Sequence, residues 1–382
     1  PELSDDNRLL TIRAWSEAEQ KARKLTFTPD ADNYRLEYLA MGDSYSSGEG
    51  DAGRDKYGNT YYLPRIDKRG DDCHISLRSY PFLLREEWRI TTDRMKSVAC
   101  SGARVIPDFS GIASSYLGQS NRLNSESNLS ETRRSALDKF TPGHLPQLEF
   151  VKKYQPKVVT FTGGGNDIGF ESILEYCASP EFADFVPWVN SDCQYAVAGS
   201  TLHKMLIRSI DTQYFYNKKL VDDIKSASPQ TKIVIIGYPQ FIAANLKNCS
   251  LNSGLLSFAE RVMLNTAVTY TNSMLKRLAY DTSVSYVDIE NTLAGGRICE
   301  GSSLMTGVAS YAANQAARQE MFHPNAAAHA KIAKVIIDAD VYKSEDSIPN
   351  AGSYVPSLGE SVTRRIEMLR GGVTTRQAGL TL

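Results

Sequence analysis

Five short segments rich in β-branched and aromatic residues recur along the chain, and helical patterns fill the stretches between them. They are Tyr34 to Met41, Met95 to Ala99, Lys157 to Thr162, Lys232 to Tyr238 and Val284 to Asp288. The first alternates its side chains with period two before turning apolar, as a strand does on entering a core. Helical spacing marks Gln147 to Lys153, Thr201 to Ala227, Leu255 to Leu278 and a stretch after Pro324. Strands alternating with helices predict βαβ units with right-handed crossovers. The expected fold is therefore α/β: a three-layer α/β/α sandwich around a five-stranded parallel sheet, with long loop insertions.

A length of 382 residues admits two or three domains of ~100–200 residues each. The strand pattern narrows this to one large domain over 34–343. The expectation for 1–33 is a helical lead-in with a helical patch from Leu9 to Ala22. For 344–382 it is a linker and a helix, Val362 to Leu369. No signal peptide is in view before Pro1, so a targeting segment or a longer parent chain would extend beyond what is given. Two long polar stretches, Asp51 to Asp72 and Gln119 to Arg134, read as surface insertions.

Lys and Arg number 43 against 44 Asp and Glu, a net charge of −1, which lacks the basic footprint of a nucleic-acid binder. No apolar run reaches the ~18–20 residues of a membrane-spanning helix, so no transmembrane segment is expected. Pattern alone leaves the oligomeric state open. The six cysteines contain no Cys-x-x-Cys and no zinc spacing. They fit disulfides in an oxidising compartment, or buried thiols.

Ligands of open parallel sheets bind outside the carboxyl ends of the strands. After the first strand comes Gly42-Asp43-Ser44-Tyr45-Ser46-Ser47-Gly48-Glu49-Gly50, which places Ser44 in a tight turn where a nucleophile could stand. It is not a G-x-S-x-G elbow. Cys100-Ser101-Gly102-Ala103 follows the second strand, and Gly163-Gly164-Gly165-Asn166-Asp167 the third. Glycines there allow close backbone approach, and the Asn166 amide is an uncharged donor suited to an oxyanion. The one G-x-G-x-x-G spacing, at Gly48, Gly50 and Gly53, runs into a polar loop, so a phosphate site is not supported. Of five histidines, His323 stands before Pro324, which is expected to open a helix at its first position, with Glu320 three residues earlier.

Gly-Asp-Ser, Gly102, Gly-x-Asn-Asp and His-Pro in this order resemble the four blocks of the SGNH hydrolases, or GDSL esterase/lipase family. The resemblance runs from about Arg35 to Val341 and is closest to the secreted bacterial branch. Cys73-His74, Arg78-Ser79-Tyr80-Pro81, Ala99-Cys100-Ser101-Gly102-Ala103 and Gly237-Tyr238-Pro239 also match that branch. The resemblance implies a serine esterase or lipase with Ser44 as nucleophile and His323 as general base. The backbone N–H groups of Ser44 and Gly102 and the Asn166 amide would form the oxyanion hole, with neither metal nor organic cofactor. The family's usual acid is Asp three residues before the His. Glu320 stands there instead, acting through its side chain, through the backbone as in some members, or not at all.

Resemblance further implies three sequential disulfides, Cys73–Cys100, Cys177–Cys193 and Cys249–Cys299, and secretion. The implied substrates are carboxylic esters, whether acyl lipids, short-acyl compounds or acetylated carbohydrates. Phe170, Phe182, Phe185, Trp188 and Phe258 are candidates for an acyl-binding face, or for ordinary core. Two rival readings keep the same fold: a phospholipase acting on glycerophospholipids, and a non-catalytic binding or adhesion module.

Overall fold

The structure is a computed structural model. It describes 35–51, 61–63, 73–105, 135–169 apart from 136 and 144, 201–244, 258–301, 303–306, 320–344 and 348–356, together with three strands near the N-terminus. Those three are β1 (Glu2–Leu3), β2 (Leu10–Ser16) and β3 (Lys21–Phe27), an antiparallel meander in which Leu10 pairs with Phe27 and Ser16 with Lys21. This corrects the expected helical lead-in. Leu10, Ile12 and Ala14 alternate with Thr11, Arg13 and Trp15, a period of two whose β-branched and aromatic members favour a strand over a helix.

The main sheet is parallel throughout, with the order β5-β4-β6-β7-β8. Its strands are β4 (Tyr38–Met41), β5 (Met95–Ser97), β6 (Val158–Phe161), β7 (Lys232–Ile236) and β8 (Ser285–Val287), each inside or at the edge of an expected segment. β4 and β6 are buried at every position, as a sheet covered on both faces requires.

The helices between strands are α1 (Ser44–Ser47), α2 (Tyr80–Glu87), α3 (Gln147–Tyr154), α4 (Thr201–Ala227) and α5 (Phe258–Asp281), with α6 (Ala326–Asp338) after β8. From β4 the chain steps one way to β5, then the other way through β6, β7 and β8. Right-handed crossovers therefore put α2 on one face and α3, α4 and α5 on the other. The packing agrees: α4 lies against α3 and α5, and α6 returns to pack on α2. The expected three-layer sandwich is thus the observed one.

Strand order reverses beside β4, whose neighbours are β5 and β6. That reversal opens a crevice at the carboxyl end of β4, the position from which Ser44 follows.

Two ends depart from expectation. Pro324 does not open α6. Asn325 is the N-cap, its side chain accepting from the Ala327 and Ala328 amides, so Pro324 lies one residue outside. The segment read as a linker after 344 begins by docking: Tyr354 is buried, and its hydroxyl donates to Asp211 on α4 at 2.8 Å.

The α2–α6 contact contains a titratable group. His329 is fully buried, its Nδ1 accepts from the Tyr80 amide at 3.3 Å, and burial depresses its pKa from 6.5 to about 3. The unfolded chain thus binds a proton near pH 6.5 that the native state refuses. His329 contributes its full stability above that pH and loses it as the pH falls towards about 3. Urea unfolding between pH 4 and 6 is expected to show a slope of about 1.4 kcal/mol per pH unit from this group. His329→Gln should remove that slope, and an unchanged slope would assign the acid sensitivity elsewhere.

Candidate active site

Gly42 ends β4 with φ +128, and a Cβ there would lie 2.8 Å from the Thr162 carbonyl, so only glycine fits. The buried Gln147 side chain clamps this peptide, accepting from Gly42 N and donating to Gly42 O. Asp43 then caps α1 by accepting from the Tyr45 amide at 3.1 Å, and it also accepts from Thr162 Oγ1 and Tyr238 Oη at 2.6 and 2.5 Å. Burial raises its pKa despite these bonds. Asp43 thereby ties the turn to the loops after β6 and β7, and Ser44 stands at the first position of α1.

His323 arrives from the segment after β8. Thr306 and the 322–323 backbone exchange hydrogen bonds, and the Tyr45 hydroxyl donates to the Phe322 carbonyl at 3.0 Å. His323 Nε2 lies 2.9 Å from Ser44 Oγ, and Nδ1 lies 2.9 Å from the main-chain carbonyl of Met321. A carbonyl only accepts, so Nδ1 carries the proton and Nε2 presents its lone pair to the serine hydroxyl.

Of the three roles left open for Glu320, the geometry does not favour the one through its side chain. Its carboxylate accepts from the Gly50 amide at 2.7 Å and the Tyr62 hydroxyl at 2.5 Å, while the Met321 carbonyl takes the imidazole proton. The chain turns back after Met321 with Phe322 at φ +63, which brings that carbonyl under the ring and carries the Glu320 side chain towards Gly50.

The structure brings the three expected donor segments to one edge. Asn166 Nδ2 donates to the Ala103 carbonyl at 3.0 Å, joining the loop after β6 to the loop holding Gly102. Cys100 N donates to Gly42 O at 3.0 Å, joining that loop to the Ser44 turn. Gly102 sits at φ +72, and among the described residues nothing lies within 4 Å of where its Cβ would stand.

A second group at the site was not singled out from sequence. Glu49 is only 2% exposed, and its carboxylate accepts from Ser101 Oγ at 2.5 Å, meets His74 Nδ1 at 2.9 Å and lies 3.5 Å from His323 Nε2. Burial alone would raise the Glu49 pKa, yet the His323 and His74 imidazoles and the Ser101 hydroxyl outweigh it and the net direction is down. Glu320 goes the other way, pushed up by burial and by the Glu49 charge against the Tyr62 hydroxyl. Two carboxyls near the His74 imidazole are thus driven apart, Glu49 towards the anion and Glu320 towards the acid. The available signal was an acidic residue wedged between Gly48 and Gly50 in a turn.

Cys73 and Cys100 form a disulfide, as the resemblance implied. Cys299 is disulfide-bonded too. Cys177, Cys193 and Cys249 lie outside the described residues, as do Phe170, Phe182, Phe185 and Trp188. Phe258, at the start of α5, is exposed.

The family model described as GDSL-like lipase/acylhydrolase matches residues 40–331. A lipase of Streptomyces rimosus is 26% identical over 297 residues, 77% of this chain and 83% of that protein. Lipase 1 of Streptomyces coelicolor is 25% identical over 292 residues, 76% of this chain and 81% of that protein. The crystal structure of the extracellular lipase from Streptomyces rimosus superposes with a TM-score of 0.50 at 23% identity, over 80% of this chain and 99% of that one, and so shares the fold.

Proposed function

Because the chain belongs to the GDSL-like lipase/acylhydrolase family and is a carboxylic ester hydrolase, we propose that Ser44 is its nucleophile and His323 its general base, oriented by the Met321 carbonyl. The observation that carries this reading is the continuous line from that carbonyl through the imidazole to Ser44 Oγ, with both links at 2.9 Å. His323 Nε2 takes the Ser44 proton as Oγ attacks the ester carbonyl. The oxyanion is held by the backbone N–H groups of Ser44 and Gly102 and by Asn166 Nδ2. Each such donor contributes about 2.7–4 kcal/mol to the transition state. The imidazolium then protonates the leaving alcohol, an acyl-Ser44 ester remains, and water activated by His323 releases the acid.

The relatives are named lipases, which supports acyl lipids as the substrate class. The Cys73–Cys100 disulfide supports an oxidising, extracellular setting. Among the described residues, no helix is long and apolar enough to cross a membrane.

A fluorophosphonate probe should label the wild-type protein and leave Ser44→Ala unlabelled. Undiminished labelling of that variant would remove the nucleophile assignment. In a p-nitrophenyl ester series run beside acetylated sugars, turnover should be highest with medium or long acyl chains. Activity confined to the sugars would overturn the lipid reading.

A further inference from the structure

A carbonyl orients an imidazole but brings no net charge to it. When Ser44 attacks, the proton moves from Oγ to Nε2 and His323 becomes a cation, and among the described residues the Met321 dipole is the sole hydrogen-bond partner of Nδ1. In a buried site a new cation without a nearby anion is costly. A carboxylate is nevertheless present on the other side of the ring, 3.5 Å from Nε2. We propose that Glu49 is the anionic positioning residue of this dyad, stabilising the His323 imidazolium from the Nε2 side while leaving the resting Nε2–Ser44 hydrogen bond intact. This rests on the Ser44–His323 reading.

Glu49 is built into the site. Its two donors, His74 and Ser101, are the residues immediately following the bonded Cys73 and Cys100, so one disulfide sets both. Ser101 N also donates to Cys73 O at 3.2 Å. His74 is held at φ +48, in the left-handed region uncommon for residues other than glycine, and its ring stacks on Tyr62 at 5.0 Å. A surface glutamate would have none of these constraints.

Geometry also separates the roles of the two oxygens. Ser44 Oγ, at 2.9 Å, owns the Nε2 lone pair in the resting state, and Glu49, at 3.5 Å, acts on the charge that follows. Glu49 takes no proton at any step. The proton on Nε2 goes to the leaving oxygen, and Glu49 remains an anion. The other titratable groups facing Glu49 are His74, Tyr45, Tyr62 and Glu320, and those acting on His323 besides Glu49 are Asp43 and His329.

The deciding experiment compares the pH profile of kcat/KM for wild type and Glu49→Gln, with His323→Ala alongside. Glu49→Gln keeps the size, removes the charge and exchanges one acceptor oxygen for an NH2 donor. Its kcat should fall about 10–100-fold with KM nearly unchanged, and the acidic limb of its profile should move to lower pH, because loss of an adjacent anion disfavours a protonated base. A structural role would not move that limb. If Glu49→Gln does not fold, Glu49→Asp decides: it keeps the charge but draws it back, and the limb should shift in the same direction by less. A Glu49→Gln enzyme within twofold of wild type, or an unmoved limb in the variant that folds, overturns the inference while leaving the dyad standing if His323→Ala is inactive. Retained activity in His323→Ala would remove the dyad and this inference together.

Discussion

His323→Ala should lower kcat/KM by about 10⁴-fold or more, whereas Glu320→Gln should lower it by about tenfold or less. The first change removes the only group among the described residues that lies within hydrogen-bonding distance of Ser44 Oγ and can take its proton. The second touches a carboxylate that accepts from Gly50 N and Tyr62 Oη, so its cost should show mainly in stability, about 1–2 kcal/mol for imperfect pairing of the buried Gly50 amide. Met321→Ala should be milder still in activity, because the orienting atom is main-chain and survives any side-chain change. Steady-state kinetics on one p-nitrophenyl ester, with urea unfolding of each variant, checks all three. A Glu320→Gln enzyme as inactive as His323→Ala would restore the carboxylate as the orienting acid.

This contrast marks where the sequence stops being readable. The five strands of the main sheet were legible because each is a short β-branched run bounded by polar turns, and a parallel sheet buried on both faces tolerates nothing else. Ser44 and His323 were legible because strand-end position and block order restrict them. Met321 was not, because any residue there supplies a carbonyl, and what matters is the backbone reversal at Phe322. Glu49 was hidden for a different reason. Its partners His74, Ser101 and His323 are 25, 52 and 274 positions away, and only the Cys73–Cys100 link and the strap after β8 bring them together. The N-terminal strands were misread because Leu9 to Ala22 lacks turn residues, and a helical count of its apolar positions hid the alternation of Leu10 to Ser16.

Gly50 shows how a residue without a side chain can hold the proposed base, His323, in place. It sits at φ +101, and a Cβ there would lie 2.6 Å from the Pro324 carbonyl and 2.9 Å from His323 Cβ. Its amide donates to Glu320 and its carbonyl accepts from Thr306 Oγ1 at 2.8 Å, so the turn cannot back away without breaking both bonds. Glu320 thus acts on His323 through the backbone it braces. Gly301 provides the comparison, since it has φ +94 and no described residue within 4 Å of its Cβ position. Gly301→Ala carries the backbone cost alone, about 1–2 kcal/mol, with kcat unchanged. Gly50→Ala adds the clash, for a total of about 3 kcal/mol or more, and pushes His323 off its line to Ser44. A displacement of about 1 Å at that base should cost about 10²-fold in kcat. Urea unfolding and kinetics of the two variants separate the contributions. Matching losses in both would mean that Gly50 answers only to its own φ, and that the His323 strap is free to move without it.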